Sequence, residues 1–137
     1  MEIKFELLNL LDKCSEDDVP VSSVLINQKN EIVSTGFNVR EIKKIISGHA
    51  EIEAINNYIQ EQNNSNLSNL TLYSTLKPCL MCIGAIRASK IKKVYYLVDN
   101  KFNNYFLPED IECIKINDEK TEDIIKSKLN VFFKKLR

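Results

Sequence analysis

His49-Ala50-Glu51 and Pro78-Cys79-Leu80-Met81-Cys82 are the two fragments of this 137-residue chain whose residue types could do chemistry together. Two thiolates and one imidazole make a three-ligand zinc set with a fourth position left for water. Three protein ligands mark catalytic sites more often than structural ones, which are usually closed by four. Cys79 and Cys82 are three residues apart, so on a helix they share one face. Glu51 stands two residues from His49, too close to ligate comfortably on the same side yet near enough to reach the metal's water. A carboxylate placed there takes a proton from the water and delivers it to a substrate. Cys14 and Cys113 have no ligand-like spacing.

Each fragment alone has an ordinary explanation. A lone histidine at a helix start is commonly a surface or capping residue. A C-x-x-C pair in a reducing compartment can be a redox dithiol, and a buried cysteine is often only a small hydrophobe. Together these explanations must cover a His-x-Glu at one helix start and a Pro-Cys-x-x-Cys at another. The metal reading takes both at once.

The elements that would carry these residues follow from hydrophobic period. Ile3, Leu7, Leu8, Leu10 and Leu11 recur at helical spacing and predict a helix over 2–14. Residues 19–26 and 31–37 read as a strand pair around the Gln28-Lys29-Asn30 turn, and 38–48 as irregular. Ile52, Ile55 and Ile59 predict a helix over 49–62. A short strand at 70–75 leads to Pro78, placed to open a helix that runs to 89. Strands at 93–98 and 111–116 and a helix at 121–135 complete the order. Strands separated by helices suggest a three-layer α/β/α domain, and this length suits one domain, 1–137.

Both helix starts also matter electrostatically. Unpaired N–H groups and the helix dipole favour thiolate over thiol there. No apolar run approaches the roughly 20 residues of a membrane helix. Glu2 and Glu6 do not suit a signal peptide, so a cytoplasmic, reducing setting without disulfides is expected.

The His49-x-Glu51 and Pro78-Cys79-x-x-Cys82 pair resembles the signature of the zinc-dependent nucleobase and nucleoside deaminases. Val19-Pro20-Val21, Gly36-Phe37-Asn38, Thr71-Leu72-Tyr73-x-Thr75-Leu76 and Cys82-x-Gly84-Ala85 extend the likeness toward the bacterial tRNA adenosine deaminases, over most of residues 2–136. The resemblance implies a cytidine-deaminase-like α/β/α domain with a central, mostly five-stranded mixed sheet. It implies one zinc per subunit on His49, Cys79 and Cys82, and Glu51 as the catalytic proton shuttle. It also implies substrate contacts from Asn38 and from the backbone of Ala50. The implied substrate is the wobble adenosine of an arginine tRNA anticodon, converted to inosine by a cytoplasmic homodimer. A turn role for Asn38 is the plain alternative.

Three places depart from that family. Lys77 stands where it usually has Glu, reversing a charge beside the metal site or adding a phosphate contact. Ser22-Ser23 replaces a Gly-Ala pair and would narrow or re-aim the pocket floor. Residues 99–104 replace an Arg-Asp and glycine-containing loop, so RNA contacts there do not transfer.

The chain has 19 basic and 19 acidic side chains, which argues mildly against a general nucleic-acid coat. The neutral total hides two basic stretches, however. One holds Lys77, Arg87, Lys90, Lys92, Lys93 and Lys101 against Asp99; the other holds Lys126, Lys128, Lys134, Lys135 and Arg137 with no acid. Two alternatives share the ligand set: a free-base or nucleoside deaminase acting on guanine or cytosine, and a non-catalytic zinc subunit.

Overall fold

A computed structural model describes residues 2–100 and 105–136 of the protein. Lys101 and Arg137 of the basic stretches, and 101–104 of the altered loop, lie outside the described residues.

Five strands form one mixed sheet in the order β2-β1-β3-β4-β5. They are β1 (Ser22–Ile26), β2 (Ile32–Phe37), β3 (Thr71–Leu76), β4 (Lys93–Val98) and β5 (Glu112–Lys115). β1 runs antiparallel to both β2 and β3, whereas β3, β4 and β5 are mutually parallel. The sheet is therefore mixed, as the family resemblance implies. β1 has no polar/apolar alternation because all five of its residues are buried, as expected of a central strand covered on both faces.

Helices cover the two faces. Leu7, Leu10 and Leu11 of α1 (Glu2–Leu11) and Ile125 of α5 (Glu119–Lys135) pack on Val24, Ile26, Leu97 and Val98. On the opposite face, Ala54 and Ile55 of α3 (Ala50–Gln62) and Ile83 and Ile86 of α4 (Leu80–Ala88) pack on Leu25, Leu72 and Val94. Adjacent residues of one strand thus serve different layers. Ile86, fully buried, fastens the ligand-bearing α4 to the sheet. Ile86→Ala is expected to cost about 2–5 kcal/mol in urea unfolding; a loss well below 1 kcal/mol would show that α4 is held elsewhere.

Residues 38–48, expected to be irregular, contain a four-residue helix α2 (Arg40–Lys43). Its start is capped from far away. The buried Asp18 carboxylate accepts from the N–H groups of Glu41 at 2.6 Å and Ile42 at 3.3 Å. α5 starts two residues before the expected boundary because Asp118 accepts from the Thr121 N–H at its N-cap. No helix among the described residues is long and apolar enough to cross a membrane.

Gly36 sets the distance between β2 and α3. A Cβ there would stand 2.3 Å from the Ala50 carbonyl oxygen and 2.5 Å from the Ala54 nitrogen. Only a glycine permits this approach. Two residues earlier, the Ser34 hydroxyl donates to the Ala54 carbonyl at 2.7 Å.

Candidate active site

Helices α3 and α4 begin side by side, and the metal-type donors stand at their first turns. His49 and Cys79 occupy the two N-cap positions in extended conformation, with φ/ψ of −80°/151° and −76°/172°. Neither side chain caps its helix. These positions normally favour Ser, Thr, Asp or Asn, so the side chains are released for another task. The helices begin at Ala50 and Leu80, one and two residues later than the sequence suggested. Pro78 consequently precedes the cap instead of opening the first turn, which leaves Cys79 free to face His49.

The three donor atoms form a small triangle. Cys79 Sγ lies 3.4 Å from His49 Nδ1, Cys82 Sγ lies 3.5 Å from the same nitrogen, and the sulfurs are 3.6 Å apart. With Zn–S about 2.3 Å and Zn–N about 2.0 Å, a tetrahedral ion spaces its donors about 3.5–3.8 Å apart. Their chemistry fits as well. Hydrogen bonding with Cys82, reinforced by His49, holds the Cys79 thiol down to about 4. That same contact, together with burial, pushes the Cys82 thiol far up, and the hydrogen bond to Cys79 raises His49. Two thiolates this close repel each other strongly, and a divalent metal held by both would offset that repulsion.

Glu51 points into the same place from the first turn of α3. It is 3% exposed, and burial pushes its carboxyl up to about 7, with the Cys79 charge adding to the effect. A carboxyl poised there exchanges protons in either direction near neutral pH. His49, Cys79 and Glu51 line a cavity of about 630 Å³, with Cys82 fully buried behind them; it is also lined by Ala50 and by the apolar side chains of Leu76 and Val98. These last two residues end β3 and β4, so the cavity lies outside the carboxyl ends of the parallel strands, as in other open α/β sheets.

Residues 4–98 match the model of the cytidine and deoxycytidylate deaminase zinc-binding region. The chain belongs to this deaminase family.

Similarity to individual members extends further along the deaminase chain. It is 30% identical to the tRNA-specific adenosine deaminase of Haemophilus influenzae, covering 95% of this chain and 80% of that one. It is 34% identical to the protein of that name from Buchnera aphidicola, covering 93% and 84%. Among solved structures, one from a study of A-to-I editing by wobble-position tRNA deaminases superposes with a TM-score of 0.74 at 22% identity, covering 84% of this chain and 97% of that one. A guanine deaminase from Nitrosomonas europaea gives 0.75 at 16% identity, covering 96% and 80%. The fold is shared with both. Zinc is the cofactor that this deaminase domain and its His/Cys/Cys set support.

The other expected residues are placed less simply. Asn38 lines the cavity, but its amide is already engaged in fixing the loop. It donates to the Val19 carbonyl at 3.0 Å and accepts from the Arg40 N–H at 3.0 Å. Ser22 and Ser23 are not at the pocket floor. Both are fully buried in the sheet: the Ser22 hydroxyl donates to the Leu7 carbonyl at 2.7 Å, and that of Ser23 to Ser74 Oγ at 3.1 Å. The pair ties β1 to α1 and β3, and Val19 and Val21 line the cavity instead.

Lys77 does line the cavity, with its ammonium 5.9 Å from the ring centre of Tyr96 and 5.5 Å from that of Tyr105. Arg87 of the same basic stretch is turned elsewhere, beside Asp110 at 3.4 Å. From α5 come Lys126, Leu129, Asn130 and Phe133, which also line the cavity. Lys126 belongs to the second basic stretch of the sequence, whereas Asn130 and Arg40 carry no signal there. No local signal could have placed α5 at the cavity, because its lining residues lie more than 40 positions beyond Cys82 in the chain.

Proposed function

We propose that this chain, one domain over 1–137, is a cytoplasmic tRNA-specific adenosine deaminase. It acts hydrolytically on the wobble adenosine of an arginine tRNA anticodon and leaves inosine and ammonia. The observation that carries this reading is one continuous arrangement: His49, Cys79 and buried Glu51 line a cavity with Cys82 directly behind them, and Lys126, Leu129, Asn130 and Phe133 of α5 line the same cavity. Nearly full-length relatives named tRNA-specific adenosine deaminase support it.

His49, Cys79 and Cys82 would hold the zinc. Bound there, it supplies the Lewis acidity that brings a water's pKa toward ~7. Glu51 handles the protons. Its carboxylate takes one from the water that adds to C6 of the purine and delivers it to the ring. It then passes a proton to the departing amino group, so that water and adenosine become inosine and ammonia. Burial sustains this exchange, since a carboxyl near 7 gives up a proton as readily as it takes one.

Leu76, Val98 and the backbone of Ala50 enclose the base. Asn38 retains one amide N–H and one oxygen lone pair for the nucleoside beyond its two backbone bonds. A base reaches this depth only when extruded, which is least unfavourable from a single-stranded loop. Lys77, Arg40 (paired with Glu41 at 2.9 Å) and Lys126 (paired with Glu122 at 2.9 Å) line the same cavity and would meet the phosphates through their remaining donors, and Phe133, 48% exposed, offers a ring for stacking. We further propose a homodimer, with exposed Leu80, Met81 and Ile46 as apolar side chains for burial between subunits.

The test is incubation of the purified protein with an arginine tRNA bearing adenosine at the wobble position. The expected product is inosine at that position. Zinc-loaded, folded protein that makes none, yet releases ammonia from guanine or cytosine, would replace this reading with that of a small-molecule deaminase.

A further inference from the structure

We propose that Tyr105 is a positioning residue for the metal ligand Cys79, held in that role by Lys77; this rests on the reading of Cys79 as a zinc ligand. The Tyr105 hydroxyl donates to the Pro78 carbonyl at 2.6 Å. That carbonyl belongs to the peptide leading directly into Cys79. On its other side, Cys79 is fixed by α4, because its own carbonyl accepts from the Ile83 N–H at 2.9 Å. The peptide between Pro78 and Cys79 therefore sets where Sγ points, and Tyr105 grips that peptide from 27 residues away in sequence.

Lys77 completes the grip. Its N–H donates to the Val98 carbonyl at 2.9 Å, which anchors the segment to β4. Its ammonium is within about 6 Å of both tyrosine ring centres, the range in which a cation is attracted to a ring face. Tyr96 is a fixed wall, 8% exposed on β4. The cation thus links that wall to the Tyr105 ring and holds the hydroxyl over Pro78. Burial raises the Tyr105 phenol above its ordinary value, so it remains an O–H donor. A lysine at position 77 thereby serves the ligand loop through two aromatic rings, in addition to lining the cavity.

Groups that orient a ligand without binding the metal commonly change metal affinity by about 10–100-fold when removed. Tyr105→Phe keeps the ring and its cation contact and deletes only the donor. With the zinc-loaded full chain mixed with excess chromophoric chelator, this variant is expected to release zinc about 10-fold faster than the parent. In the cobalt(II)-substituted protein, its sulfur-to-metal charge-transfer band is expected to shift, while the metal-free forms melt at the same temperature. Lys77→Met should move the release rate and the band in the same direction, and it carries the test if Tyr105→Phe fails to fold. Unchanged release and an unchanged cobalt band overturn the proposal, and so does a lower melting temperature with unchanged release, which makes Tyr105 a loop anchor only. A parent protein that takes up neither metal would remove the zinc-ligand reading itself, a failure distinct from that of the positioning role.

Discussion

Glu51→Gln is expected to lower the rate of inosine formation by about 10²–10⁴-fold, the range set by losing a positioned acid–base group. Zinc content should stay at the parent level. The substitution is nearly isosteric, so the buried pocket at the start of α3 is kept. What disappears is the carboxyl that burial holds at about 7. The amide cannot accept the proton that the attacking water must lose, nor return it to the base and the amino group. His49, Cys79 and Cys82 are untouched and continue to present their donors within 3.6 Å of one another. Metal analysis beside a single-turnover assay on the tRNA checks both halves. Activity within a few-fold of the parent would remove Glu51 from the proton path, and lost zinc would make it part of the metal site instead.

Gly36→Ala is expected to have the largest effect on stability, on the order of 4–5 kcal/mol, which puts it among the exceptional single substitutions. A domain of this size has only about 5–15 kcal/mol in total. The added methyl meets backbone on the first turn of α3, the Ala50 carbonyl at 2.3 Å and the Ala54 nitrogen at 2.5 Å. Backbone in a packed helix does not rotate aside as the end of a flexible side chain would. Either β2 or α3 must move, and α3 carries Glu51 and follows directly on His49. Gly84 is the matched control: a Cβ there meets nothing within 4 Å, and alanine in mid-helix is favoured over glycine by about 0.5–1 kcal/mol. Urea unfolding of the two variants should therefore give opposite signs. An unaltered midpoint for Gly36→Ala would show that the sheet and α3 can separate freely.

Much of this protein was legible without coordinates, for reasons that are local. The candidate ligand set needs only residue type and a short spacing, and Cys79 and Cys82 at i, i+3 face one way from a single helical turn. The element order follows from hydrophobic period, which each segment carries in its own residues. Boundaries slipped where function or distant groups intervened. Hydrophobic period and Pro78 mark where each helix can begin but not which residue leaves it, so the sequence places His49 and Cys79 inside their helices, whereas in the fold they are N-caps whose side chains turn toward each other. α2 was unseen because its cap, Asp18, lies more than 20 residues upstream.

What the tertiary structure decided is everything that depends on pairing across the chain. His49 and Cys79, 30 positions apart, close into a 3.4 Å contact because β3 inserts beside β1 and delivers α4 next to α3. That order of strands is fixed by nonlocal burial, which no single segment records. The same cause hides Ser22 and Ser23 in the sheet and brings α5 alongside the cavity. It also places Tyr105 over the peptide before Cys79. By itself the sequence determined which atoms could bind a metal and move a proton. Packing decided which atoms meet, because loop closure and core burial act on the whole chain at once.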